Sequence, residues 1–179
     1  MSNASIDWIH SRLKFGIKPG LSRIVYLLEQ LGNPQNKFKT VHVAGTNGKG
    51  STVTFLSNIL QQYGLQVGTF TSPYIENFNE RIAINGRYIS DEDLNRIVGV
   101  IKPIVFKMDE DVDLVNITEF EILTAIGYYY FADQAVDIAL IEVGLGGLYD
   151  STNVITPLVS AITTIGMDHQ DILGDTLAK

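Results

Sequence analysis

Thr40-Val41-His42-Val43-Ala44-Gly45-Thr46-Asn47-Gly48-Lys49-Gly50-Ser51 is the stretch that decides the fold. The β-branched run from Thr40 to Ala44 predicts a strand, and residues 52 to 63 resume the spacing of a helix that Gly64 closes. Between them, Gly45, Thr46, Asn47, Gly48, Lys49, Gly50 and Ser51 form a glycine-rich turn from strand to helix. Such a turn aims several backbone N–H groups at one point and adds the positive end of the helix dipole, so it predicts a phosphate site. Lys49 supplies a mobile full charge for the outer phosphates. The strict pattern G-x-x-x-x-G-K-[ST] is nevertheless broken twice, because Val43 stands at its first glycine and Gly50 at its hydroxyl. The nearest hydroxyl is displaced to Ser51. A tight turn with incidental glycines is the plain alternative, and three glycines, a lysine and two hydroxyls between a β-branched strand and an amphipathic helix speak against it. His42, inside the strand, is expected to be packed or hydrogen-bonded and is assigned no role.

Working outward, residues 5 to 14 and 21 to 31 carry helical spacing, the second closed by Gly32 and Pro34. Gln66 to Phe70 predicts a second strand, followed by a loop starting Thr71-Ser72-Pro73. Residues 81 to 89 place Asn85-Gly86 between two apolar runs, which predicts a small β-hairpin with a type I′ turn. Ser90 with Asp93 predicts a helix start, and Pro103 is expected to kink or end that helix. Thr118 with Glu121 predicts a capping box opening a long apolar helix through Tyr130. Val136 to Val143 and Leu158 to Ile165 predict two buried-type strands. Strands alternating with helices imply an α/β fold, a mostly parallel doubly wound sheet flanked by helices, in one domain.

Composition limits the function. The chain has 179 residues, 45% of them hydrophobic, enough for one domain with a substantial core. A formal charge of -7 argues against nucleic acid as the main partner. No cysteine is present, so thiolate metal sites and disulfides are excluded, as suits a reducing cytoplasm. No apolar run approaches membrane-spanning length and the first residues do not read as a signal peptide, so no membrane partner and a cytoplasmic monomer are expected. The acidic stretch Asp109-Glu110-Asp111-Val112-Asp113 reads as a solvated loop, because nothing in it fixes a coordination geometry. Tyr128-Tyr129-Tyr130-Phe131 reads as packing rather than a ligand cage.

The segment from His42 to Ser51 resembles the phosphate loop of folylpolyglutamate and dihydrofolate synthases, a branch of the Mur ligase family. Further segments agree in order: Thr71-Ser72-Pro73-Tyr74, then Phe78-Asn79-Glu80-Arg81-Ile82, then Glu142 to Gly147 with Asp150-Ser151-Thr152-Asn153-Val154, and finally Asp168-His169 with Leu173-Gly174-Asp175-Thr176. The resemblance implies an ATP- and Mg²⁺-dependent ligase that joins L-glutamate to the carboxylate of a folate or dihydropteroate through an acyl phosphate. It implies Lys49, Glu142 and His169 as catalytic residues and Ser72, Glu142 and His169 as magnesium ligands. It also implies that the loop Ile17-Lys18-Pro19-Gly20-Leu21, together with Tyr74, Arg81, Phe120 and Asp150, faces the acceptor. Glu142, Ser72 and His169 sit at the C-terminal ends of predicted strands, where open α/β sheets gather ligands. The chain departs from many members at Leu148-Tyr149 and at Tyr74, near the implied pterin site, which leaves the preferred acceptor open. The half-built helix from Gly174 to Lys179 suggests a truncated ATP-binding domain, with a C-terminal ligase domain absent and negligible ligase activity expected of the 179 residues alone. A cell-wall Mur-type ligase and a nucleotide-binding module without ligase activity are the alternatives.

Overall fold

The computed structural model describes residues 3–176, so the end of the expected C-terminal helix, 177–179, lies outside the described residues. Six strands form one sheet in the order β4-β3-β2-β5-β1-β6. They are β1 (Lys39–Ala44), β2 (Val67–Phe70), β3 (Ile82–Ile84), β4 (Arg87–Tyr88), β5 (Ile138–Glu142) and β6 (Val159–Ile162). β1, β2, β5 and β6 run parallel, while β3 and β4 add an antiparallel edge. That edge is the expected hairpin: Asn85 and Gly86 take φ of 49° and 74°, and the Asn85 side chain accepts from the backbone N–H of Val67 at 2.8 Å.

Alternation along the strands sends side chains to two cores. Val41 and Val43 of β1 and Leu140 of β5 pack with Val53 of α3 (Lys49–Gln62) on one face. Ala139 and Ile141 of β5 meet α5 (Glu119–Asp133) on the other. Behind α5 lie α1 (Ala4–His10), α2 (Ser22–Gln30) and α4 (Asp91–Met108). The short α6 (Gln170–Leu173) follows β6. Tyr128 and Phe131 are fully buried, as their packing role requires.

Three expectations need correction. Pro103 neither ends nor visibly shortens α4, which continues to Met108. The proline lies on the exposed side, as does Gly99 four residues earlier, so the carbonyl it leaves unbonded faces water, while Ile97, Ile101, Val105 and Met108 bury the other side. The acidic stretch is not wholly solvated, because Asp109 takes a two-pronged contact from Arg12, with one nitrogen-oxygen distance of 3.0 Å. Arg12 holds the Asp109 carboxyl below its usual range. The last expected strand stops at Ile162 instead of Ile165, for a reason that belongs to the site, and it is not of the buried type, since Val159 and Ile162 are exposed on the outermost strand of the sheet.

β2 and α5 meet closely through two reciprocal glycines. A Cβ on Gly68 would stand 2.9 Å from the Phe131 ring, and one on Gly127 would stand 2.9 Å from the Phe70 ring. Each aromatic ring fills the space that a side chain would take. Gly68→Val is therefore expected to lower stability by about 1–3 kcal/mol through overpacking, although valine is the better strand former. Urea unfolding checks this, and an unchanged midpoint would contradict the close packing.

Candidate active site

β1 ends at Ala44 and α3 begins at Lys49, with Gly48 as its N-cap at φ 83° and no side chain capping it. The first-turn N–H groups of a 14-residue helix are thus left without intrahelical acceptors, at the positive end of its dipole. Gly45 has φ 130°, and a Cβ there would stand 2.1 Å from the Thr163 hydroxyl, so both backbone and space require glycine. The loop is tied to the segment after β6. Thr46 N–H donates to the Thr164 carbonyl at 2.7 Å, Gly166 N–H donates to the Thr46 hydroxyl at 2.9 Å, and the Thr163 hydroxyl donates to the Asn47 carbonyl at 2.7 Å. From Thr163 onward the polar groups serve the loop, which ends the strand earlier than its apolar pattern suggests. The signal for these residues was present as hydroxyls at the C-terminal end of a predicted strand, but strand order is needed to place them beside Gly45.

Lys49 donates from Nζ to the Gly45 carbonyl at 2.8 Å and to that of Thr46 at 3.4 Å, and stands 3.9 Å from Glu142 Oε1. Glu142 closes β5 directly beside Val43 in the β1 register, which explains the approach. It is only 5% exposed. Burial pushes its carboxyl pKa up, while Lys49 and the backbone N–H of Ser72 oppose the rise. Ser72 follows β2, the other neighbour of β5. Three adjacent parallel strands therefore deliver Lys49, Glu142 and Ser72 to one end of the sheet, the C-terminal end of those strands.

Beside this end opens a cavity of about 880 Å³. Ile17, Ser72, Arg81, Phe120, Asp150 and His169 line it, whereas Lys49, Glu142 and Tyr74 do not. Ser72 joins the two regions. Gly144 is wedged between walls, since a Cβ there would lie 2.5 Å from Phe120 and 3.1 Å from the Asp150 carboxylate. Asp150 accepts from Leu145 N–H at 2.8 Å, from Thr152 N–H at 3.0 Å and from the Thr152 hydroxyl. Because that hydroxyl donates to Asp150, it accepts from His42 Nε2 at 2.8 Å. Burial holds the His42 pKa down. The histidine is thus hydrogen-bonded, as a strand histidine was expected to be.

Arg81 is 9% exposed, and its Nε and Nη1 have no hydrogen-bond acceptor, although Nη1 lies 3.6 Å from Glu119. Its guanidinium stands 5.1 Å from the centre of the Tyr74 ring, so Tyr74 reaches the cavity only through Arg81. Free buried donors facing a cavity suit an acceptor oxygen of a ligand. His169 has a left-handed backbone at φ 47°, and its Nε2 is 3.8 Å from Asp168.

Among the described residues no group of three His, Cys, Asp or Glu side chains could hold a metal ion. Glu142 and Ser72, joined through the Ser72 backbone N–H, offer oxygen donors of the kind a hard cation takes, whereas His169 stands on the cavity wall, which Glu142 does not line. No helix among the described residues is long and apolar enough to cross a membrane.

No family model matches the chain. It is 54% identical over 174 residues to the dihydrofolate synthase/folylpolyglutamate synthase of Bacillus subtilis, covering 97% of the chain and 40% of that protein. It is 44% identical over 173 residues to the folylpolyglutamate synthase of Lacticaseibacillus casei, again covering 97% of the chain and 40% of the relative. The apo structure of the L. casei enzyme superposes with a TM-score of 0.90 at 44% identity, covering 97% of this chain and 42% of that one. A folylpolyglutamate synthase complex with AMPPCP and folate superposes at 0.89, with the same coverage and identity. Over nearly its whole length the chain is homologous to folylpolyglutamate and dihydrofolate synthases, and it spans about 40% of the length of these curated relatives. The mostly parallel sheet flanked by helices is the fold of that part of these enzymes.

The raised Glu142 pKa has a sign that can be tested. A carboxyl that holds its proton more tightly when folded makes the folded state lose stability as pH rises from about 4.3 through the raised value. Glu142→Gln removes that cost and leaves Lys49 its two carbonyls. Thermal unfolding of the ligand-free chain is therefore expected to give a higher Tm for Glu142→Gln at about pH 8, with the gain shrinking below about pH 4. A variant less stable than the parent at the higher pH would contradict the assignment.

Proposed function

We propose, from this homology and from the site geometry, that residues 1–179 form the nucleotide-binding domain of a longer cytoplasmic ligase, which uses ATP and Mg²⁺ to join L-glutamate to the carboxylate of a folate or dihydropteroate. The observation that carries the reading is the junction at Ser72. One side of it holds the Lys49 and Glu142 charge pair under an uncapped helix start, and the other opens into a cavity large enough for a heteroaromatic acceptor.

A carboxylate is a poor electrophile, so an amine cannot displace its oxygen directly. In the proposed sequence an acceptor carboxylate oxygen attacks the γ-phosphorus of ATP, ADP leaves, and an acyl phosphate forms. The glutamate amine then attacks the acyl carbon, and inorganic phosphate departs with the original carboxylate oxygen. Such transfer rests on alignment and charge neutralisation. The α3 N-terminus and the residues Gly45 to Ser51 bind the phosphates, and Lys49 leaves the Gly45 carbonyl to meet the outer ones. Ser72, Glu142 and His169 are the magnesium ligands in this reading, and a magnesium ion bound there supplies positive charge against the phosphates. Phe120 and Ile17 give the acceptor apolar walls, Asp150 an acceptor for N–H groups on a pterin edge, and Arg81 two free donors. Tyr74 backs Arg81.

Lys49→Ala is expected to reduce ATP-dependent glutamate addition at least about 100-fold in the full-length ligase that carries this chain. The assay is mass spectrometry of tetrahydrofolate and dihydropteroate products with ATP, Mg²⁺ and L-glutamate. Near-normal turnover in the variant would remove Lys49 from the mechanism, and a parent enzyme that extends neither acceptor would remove the proposed function.

A further inference from the structure

One wall of the cavity is a loop, Gly16 to Pro19, which the arginine of a buried ion pair ties to α5. Gly16 and Gly20 bracket it at φ 62° and 120°, and neither has a neighbour within 4 Å of the Cβ it lacks. The space a side chain would fill at either turn is open, so the hydrogen bond that reaches the loop's middle from α2 is a tie between it and the rest of the fold. That middle is Lys18, whose carbonyl accepts from Arg23 Nη2 at 2.9 Å. Arg23 Nε meanwhile donates to both oxygens of Glu121, at 3.1 and 3.2 Å. Glu121 is 1% exposed, and through Oε2 it also accepts from the N–H and hydroxyl of Thr118 at 2.8 Å each, closing the capping box at the start of α5. Thr118, Glu119 and Phe120, the first residues there, line the same cavity from the opposite element.

We propose that Arg23 and Glu121 are positioning residues for the acceptor: one guanidinium, fixed on the α5 cap, sets the distance between the Gly16 to Pro19 loop and the Thr118 to Phe120 wall. The proposal rests on the reading that the acceptor occupies this cavity. Neither residue touches the cavity itself. The geometry needs arginine in particular, because only a planar fork spans a carboxylate and a carbonyl on different elements at once. A lysine keeps the charge beside Glu121 but offers one nitrogen for both tasks. Loss of either partner outright would leave a buried charge, so truncation would confuse stability with position.

Arg23→Lys in the full-length ligase separates the two. The expected result is a cooperative unfolding transition, a KM for tetrahydrofolate or dihydropteroate raised about tenfold, and kcat and the ATP KM within about twofold of the parent. Hydrogen exchange over residues 13–21 should quicken while α5 keeps its protection. Gly20→Ala strains the same loop at φ 120° without touching the ion pair, and is expected to raise the acceptor KM in the same direction. An unchanged acceptor KM in Arg23→Lys, or equal losses in kcat and both KM values, overturns the positioning role, as does a variant that fails to fold. An unchanged acceptor KM in Gly20→Ala overturns the loop as a wall. A parent enzyme that uses neither acceptor overturns the cavity reading itself, and the proposal falls with it.

Discussion

Lys49 and Glu142, 3.9 Å apart at the C-terminal end of the parallel strands, form the pair on which the rest of the site depends. A carboxylate is buried there beside a lysine that also bonds two carbonyls of its own loop. Neither group would be placed so by stability alone, because desolvating the carboxylate has a cost that its partners only partly offset. The arrangement follows from strand order. β5 lies between β1 and β2, so the residue ending β5 stands between the phosphate loop after β1 and Ser72 after β2. Parallel direction puts all three at the same end.

The same geometry explains why Val43 and Gly50, which break the usual phosphate-loop pattern, are tolerated. Val43 is fully buried against α3, part of the second core, so the glycine turn starts only at Gly45. Gly45 in turn is pressed against Thr163, which fixes the start of the loop from the far side. Gly50 faces Glu142, 3.6 Å from where its Cβ would be, which is an ordinary contact distance, so this position lies beside the carboxylate without the space there requiring glycine. The loop is thus shaped by β6 on one flank and β5 on the other.

Much of this was legible in the sequence where the signals are local. The Asn85-Gly86 hairpin, the Thr118 and Glu121 capping box and the strand-loop-helix around Lys49 each depend on residues within a few positions of one another. Pro103 misled because the bond it removes matters only if its carbonyl is buried, and the exposed side of α4 could be known only from packing. Asp109 misled for a similar reason, since Arg12 is 97 residues away. At the site, the resemblance named Ser72, Glu142 and His169, and the structure joins Ser72 to each neighbourhood while leaving Glu142 outside the cavity wall. Thr163, Thr164 and the Arg23 hub were missed, because a threonine or arginine acquires such work only from the elements that tertiary structure brings to it.

An acceptor carboxylate and an ATP γ-phosphate meeting across Ser72 is the central claim, and its most direct measurement follows the oxygen atoms. With acceptor labelled with ¹⁸O in both carboxylate oxygens, the full-length ligase should release inorganic phosphate carrying one ¹⁸O for each amide formed, because the oxygen that attacks phosphorus leaves with it. Unlabelled phosphate accompanying amide formation would contradict an acyl phosphate and, with it, the account of the site given by Lys49, Glu142 and Ser72.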